Sequence, residues 1–230
     1  MKTFKILGLL LSYPEPELIA HLDDCKQVLS EENLLPKKAK QSVFAMIDLL
    51  SGQDIYQSQE DYVATFDRGR NHCLHLFEHV YGESRDRGQA MVDLAEMYAS
   101  RNLFVRQGEL PDFLPLFLEY LSLLSFDEAK ELLGEPIDVI ATIGAKLTQR
   151  ESIYASVFSA LEALSKAKAN SAAVKAALEN SEEIDSLEAL DKQWEEPEAF
   201  GGPNAADCGS CNINMKSDKA GQPSGVCSHG

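Results

Sequence analysis

The chain has 230 residues, 44% of them hydrophobic, enough for a sizeable buried core in one globular domain with a tail. Its net charge of −16 repels phosphate backbones and anionic bilayers, which excludes nucleic acid and direct membrane insertion and favours basic or apolar partners. Five cysteines with one close pair do not make the paired framework of a small secreted domain, so the expected compartment is reducing and cytoplasmic.

In chain order, Lys2 and Lys5 flank the start of an apolar run over residues 6–11 that imitates a signal peptide. The run is short and enters Tyr13-Pro14-Glu15 without a small-residue cleavage site. Leu18, Leu22, Cys25 and Leu29 recur at helical spacing after Pro16, and Ala39, Val43, Met46 and Leu50 do so after Pro36. Two amphipathic helices follow, each with proline where a first turn tolerates it. Asp54 is the expected cap of a helix through Tyr62 and Phe66, and Ser84 of one carrying Ala90, Leu94, Met97 and Arg101. Asp112 is the expected cap of a third, with Pro115 in its first turn and Leu114, Phe117, Leu121 and Leu124 on its apolar face. A short helix over residues 126–133 ends at Gly134, and Pro136 opens another with the stripe Ile140, Ile143 and Leu147. Ser152 starts a last one through Ile153, Val157, Leu161 and Leu164. No sustained strand alternation occurs, so the fold class is all-α, a single helical-bundle domain over residues 1–168. Residues 169–230, acidic and then Gly/Pro/Cys-containing, read as a disordered, flexible tail.

Enzyme motifs are missing: there is no Gly-rich loop after a strand, no P-loop and no G-x-S-x-G, so no catalytic residue is assigned and the protein reads as a non-enzyme. His72, His75 and His79 fall at i, i+3 and i+7, one face of a helix, with Cys73 and Glu78 beside them. A metal site usually draws ligands from more than one element, so packed or surface histidines are the better reading. In the tail, Cys208-Gly-Ser-Cys211 with Cys227 and His229 has ligand types that suit zinc, which keeps a metal-handling protein as the alternative function.

Residues 62–115 hold six of the seven arginines and no lysine. A guanidinium is a planar fork of donors, where lysine is a mobile point charge, so arginine here is read as holding a shape. The stretch contains Phe66-Asp67-Arg68, then His79-Val80-Tyr81-Gly82-Glu83-Ser84-Arg85-Asp86-Arg87-Gly88, then Glu109-Leu110-Pro111-Asp112-Phe113-Leu114-Pro115. Loops of this composition suit orienting a peptide between helices, and equally suit well-built turns.

The run over residues 79–92, with Tyr-Val-Ala-Thr-Phe-Asp at 62–67 and Glu-Leu-Pro-Asp-Phe-Leu-Pro at 109–115, closely resembles the NarJ family, the assembly chaperones of respiratory nitrate reductase within the TorD-type redox-enzyme maturation proteins. Leu10-Leu11-Ser12-Tyr13-Pro14 is similar to that family too, and the resemblance spans roughly residues 1–165. It implies an all-helical protein that binds the N-terminus of the apo catalytic (alpha) subunit of nitrate reductase. The client would be kept competent for molybdenum cofactor insertion and complex assembly before membrane attachment. No cofactor of the chaperone's own is implied, and molybdenum cofactor delivery proteins are further candidate contacts. Phe113 stands where relatives often carry Tyr, which removes a hydroxyl and keeps the aromatic wall.

On this reading Phe66, Asp67, His79, Tyr81, Glu83, Asp112, Phe113 and Pro115 are the client-contacting candidates. Arg68, Gly82, Ser84, Arg85, Arg87, Glu109 and Pro111 are the frame, with Arg85 and Arg87 tying the 79–88 loop to carboxylates such as Asp112 or Glu109. Arg87→Lys keeps the charge and loses the bidentate geometry, so client maturation should fall; unchanged nitrate reductase activity in cells carrying that variant would count against the frame assignment.

Overall fold

The computed structural model describes residues 1–68, 70–81 and 85–184, the side chains of Arg70, Arg85 and residues 180–184 excepted. Among the described residues every regular element is helical. The one β contact is an isolated antiparallel bridge between His75 and Phe113, in agreement with the all-α class. No helix among them is long and apolar enough to cross a membrane.

The apolar N-terminal run that imitates a signal peptide is a core helix. α1 (Lys2–Leu10) buries Phe4, Ile6, Leu7 and Leu10 and packs along α8 (Leu114–Ser122), the most apolar helix of the fold. A glycine permits the close approach: a Cβ at Gly8 would stand 3.0 Å from the Pro115 carbonyl oxygen and 3.3 Å from Leu118 Cβ. Helix α1 has no side-chain cap of its own. Its cap is lent by α3 (Leu22–Glu32), whose last residue accepts from Lys2 N–H (2.7 Å), Thr3 N–H (2.8 Å) and the Thr3 hydroxyl (2.7 Å).

The periodicity after Pro16 predicts one helix where two form. α2 (Pro16–Ala20) ends at His21, whose backbone (φ −108°, ψ 12°) leaves the helical region, and α3 restarts at Leu22 with the His21 ring bonded to Asp24 at 2.9 Å. α4 (Lys37–Gly52) buries Ala39, Val43, Met46 and Leu50 as its spacing predicts, with Pro36 at the cap position. α5 (Ile55–Phe66) is capped by Asp54, which accepts from Tyr56 N–H at 2.9 Å. Then come a 3-10 turn (Arg70–His72), the short α6 (Leu76–Tyr81) and α7 (Arg85–Ala99), so the three histidines expected on one helical face lie on different local structures. Ser84, the expected cap of α7, lies outside the described residues.

α9 (Phe126–Leu133) opens with a full Ser125/Glu128 capping box and ends at Gly134. α10 (Ile137–Gln149) and α11 (Ala155–Leu164) approach so closely that a Cβ at Gly144 would lie 2.8 Å from Phe158 Cβ. α11 also packs on α4. Ser171–Ile184, which sequence reading assigns to the tail, form α12, packed on α10. Its Ala-rich composition with Val174 and Leu178 one turn apart suffices for a helix once α10 and α11 offer the small-residue face of Ala141, Gly144, Ala145 and Ala155. Residues 185–230, with Cys208, Cys211, Cys227 and His229, lie outside the described residues.

Burial pushes the Glu32 carboxyl up, but the donors of Lys2 and Thr3 and the N-terminal ammonium outweigh it and hold its pKa below the ordinary carboxylate value. A lowered folded-state pKa stabilises the fold above the unfolded-state value and stops doing so as pH falls through the folded-state value. Glu32→Ala should therefore lower unfolding stability by about 1 kcal/mol at neutral pH, and by progressively less on acidification, in denaturant titrations run as a pH series.

Candidate functional site

The loops singled out by sequence converge on one carboxylate. Asp112 is fully enclosed, and its partners come from outside its own helix. One oxygen accepts from Phe77 N–H at 3.0 Å in the first turn of α6. The other faces His75 Nδ1 at 3.1 Å, and Arg87 of α7 stands 3.9 Å away. The Asp112 carbonyl accepts from Leu76 N–H, and Leu114 N–H donates to the Leu74 carbonyl, which zips residues 74–76 to 112–114. Sequence reading makes Asp112 the cap of the helix that follows it. In the structure Phe113 holds that cap position, without a side-chain bond, and Asp112 instead caps α6 from 35 residues away. The reason is burial: facing the α6 N-terminus, a carboxylate finds N–H donors and the positive end of a helix.

Neighbouring polar groups are equally committed. His79 Nε2 donates to the Cys73 carbonyl at 2.8 Å, and burial lowers its pKa. The Cys73 thiol donates to Glu78 at 3.1 Å, and burial pushes its pKa up to about 12, so it is not a ready thiolate. Among the described residues no group of three or more His, Cys, Asp or Glu is placed to hold a metal ion. Tyr98, fully buried, donates to the Pro111 carbonyl at 2.9 Å, which pins the start of the 109–115 loop to α7, and its ring lies tilted against that of Tyr120 with centroids 5.0 Å apart. Phe66 is buried in an aromatic cluster with Tyr62 and Tyr154.

Above this frame lies an apolar groove of about 420 Å3. It is lined by Leu76, Phe77, Val80 and Tyr81 of α6, Phe117 of α8, Ala90, Asp93, Leu94 and Met97 of α7, and Leu132, Glu135, Pro136 and Val139 from α9 to α10. Val80 is 58% exposed and Tyr81 37%, with the Tyr81 ring edge-on to Phe77 at 5.5 Å. Met97 supplies an adaptable surface.

A model of the nitrate reductase delta subunit family matches residues 32–160. The chain is 40% identical over 191 residues to the nitrate reductase molybdenum cofactor assembly chaperone NarJ of Escherichia coli K12, covering 83% of this chain and 81% of that one. It is also 40% identical over 216 residues to NarW of the same organism, assigned the same role, covering 94% and 90%. The chain belongs to the nitrate reductase delta subunit family. An Archaeoglobus fulgidus crystal structure, described as a redox enzyme maturation protein, superposes with a TM-score of 0.51 at 23% identity. It covers 70% of this chain and 91% of that one, and supports the fold. These relatives are named as chaperones, not enzymes, in agreement with the non-enzyme reading.

Within this delta-family chain the candidate residues fall into separate places. Tyr81 lines the groove. Phe113, Pro115 and Glu109 line a smaller cleft of about 170 Å3 against Lys5, Gly8 and Leu9 of α1, with the Phe113 ring 5.4 Å from His75. Asp67 and Arg68 are exposed at the end of α5, and His79 is half-buried in α6. Arg87 reaches Asp112, whereas Glu109 pairs with Arg106 at 4.0 Å. Gly82, Glu83, Ser84 and the side chain of Arg85 lie outside the described residues. Sequence reasoning missed Phe77, Val80, Leu94, Met97, Leu132 and Val139. The signal for Val80 was an apolar residue among charged loop neighbours; the others look like ordinary core positions.

Asp112→Ala should cost about 3 kcal/mol in chemical denaturation, because it strands the Phe77 N–H and leaves Arg87 beside a void. Hydrogen exchange of residues 76–81 should accelerate more than that of α10, and Asp112→Asn, which keeps an acceptor, should lose less than half as much.

Proposed function

We propose that this protein is a system-specific chaperone of respiratory nitrate reductase, acting in the cytoplasm on the apo catalytic (alpha) subunit. It binds that subunit's N-terminal segment and keeps it competent for molybdenum cofactor insertion and complex assembly before membrane attachment. The observation that carries this reading is the half-exposed apolar groove built on the family-matched segment, with a rigid polar frame beneath it. The similarity to NarJ and NarW supplies the client class.

Tyr81 and Val80 would meet the client's apolar face, as would Phe77 and Met97. Asp112, enclosed as it is, would act through the elements it holds, together with Arg87 and Pro111. Phe113 and Pro115 would contact client only along the α1 cleft. No chemical step is needed: a chaperone of this kind shifts its client toward the cofactor-accepting form by its differential affinity for that form. The molybdenum cofactor belongs to the client.

Calorimetric titration of the full chain with a peptide copying the catalytic subunit's N-terminus should show binding accompanied by a negative heat-capacity change. Val80→Asp, at an exposed position, should weaken it at least about tenfold without changing the melting temperature, because a carboxylate would be desolvated against the peptide's apolar face. Binding undiminished in that variant would move the client site away from the groove.

A further inference from the structure

Helix α7 gives the groove Ala90, Asp93, Leu94 and Met97, yet among its described side chains Tyr98 alone is fully enclosed. A helix with so little burial along its length depends for its placement on how its ends are held. One end is fixed at Tyr98: the hydroxyl donates to the Pro111 carbonyl at 2.9 Å, the ring lies against Tyr120 of α8, and Arg101 just beyond pairs with Glu128 of α9 at 3.6 Å. Towards the other end Arg87 stands 3.9 Å from Asp112, longer than a hydrogen bond. Asp112 adjoins Pro111 and caps α6, so the Tyr98 hydroxyl registers α7 against the segment that also fixes α6.

We infer that Tyr98 is a positioning residue for client binding: by holding one end of α7 on the Pro111 carbonyl it sets the separation of α7 from α6 and α9, and with it the width of the groove. Tyr98 does not line the groove, so it acts through the placement of Ala90, Leu94 and Met97. This rests on the client-binding reading of the groove and adds what controls its fit. Ala90 lies eight residues from Tyr98, and at the rise of an α-helix that is an arm of about 12 Å. A tilt of about 10° at the Tyr98 end therefore displaces the backbone at Ala90 by about 2 Å. Apolar affinity falls steeply over such a displacement, because dispersion contact and the exclusion of water both require close packing. Enclosed as it is, the Tyr98 hydroxyl holds its bond without competition from solvent.

Tyr98→Phe keeps the ring and its packing and removes only the hydroxyl. Tyr62→Phe is the matched control: the Tyr62 hydroxyl, also buried, donates to the Leu11 carbonyl at 3.0 Å and does not line the groove. In the full-length protein the two variants should lose similar amounts of melting temperature. Affinity for a peptide copying the catalytic subunit's N-terminus should drop about fivefold or more in Tyr98→Phe and less than about twofold in Tyr62→Phe. Groove width is measured as the distance between spin labels on Gln89→Cys and Glu131→Cys, exposed sites on α7 and α9 that do not line the groove, in a chain carrying Cys208→Ser, Cys211→Ser and Cys227→Ser. That distance should lengthen or broaden with Tyr98→Phe and stay as in the wild type with Tyr62→Phe. Equal losses of affinity in both variants, or an unchanged label distance in Tyr98→Phe, would overturn the inference in favour of a tyrosine that only stabilises the fold. Val80→Asp separates the two layers. If it weakens binding while Tyr98→Phe does not, the positioning role falls and the groove stands; if Val80→Asp is itself silent, the groove reading falls and this inference with it.

Discussion

The carboxylate of Asp112 is the constraint on which the arrangement of α6, α7 and the 109–115 loop depends. It is the one fully buried carboxylate among the described residues, and removing an ion from water costs several kcal/mol unless donors replace the lost hydration. The Phe77 N–H and His75 supply two charge-assisted bonds of about 1.5–3 kcal/mol each, with Arg87 adding longer-range attraction. These terms offset the desolvation only while α6, α7 and the 109–115 loop hold their positions. Asp112 therefore yields geometry more than net stability. α6 has six residues, too few to be stable alone, and persists because a distant side chain terminates it.

The same device operates at the other end of the core, where Glu32 caps α1. In both places an uncapped helix start is completed by a carboxylate far away in sequence, so local order depends on tertiary order. That coupling explains how a short helix can present Val80 and Tyr81 to solvent without unravelling: the apolar groove face is open while the polar underside is fixed. A surface meant to receive a partner's apolar side chains has to be exposed, and exposure contributes nothing to folding, so the frame beneath must carry that region.

Sequence pattern made the long helices legible because their apolar spacing is strict. α4, α5, α10 and α11 lie where Ala39, Tyr62, Ile140 and Val157 place them, and Asp54 caps where expected. Pattern failed wherever a partner 30 or more residues away decided the outcome. The run over residues 6–11 has the composition of a leader and becomes core only because α8 is there to cover it through Gly8. Asp112 looks like a local cap because Asp before a helix usually is one, and only the folded chain brings the α6 N-terminus within reach. α12 follows the same rule, since its helix needs the face of α10 and α11.

The candidate site was half legible for a related reason. Motif residues such as Arg87, Asp112 and Pro111 are chemically distinctive, and in the structure Asp112, expected to contact client, is instead buried against α6 and Arg87, while the Pro111 carbonyl accepts from Tyr98. The residues forming the groove's apolar surface are Leu, Val, Met and Phe, indistinguishable in sequence from core residues, and their exposure is a property of the arrangement alone. On the proposed reading recognition is divided: polar side chains that a motif reveals fix the shape, and apolar side chains that no motif reveals would meet the partner. For a protein that acts by binding without chemistry, that division is expected, because affinity comes from apolar area left uncovered and fidelity from how rigidly that area is held.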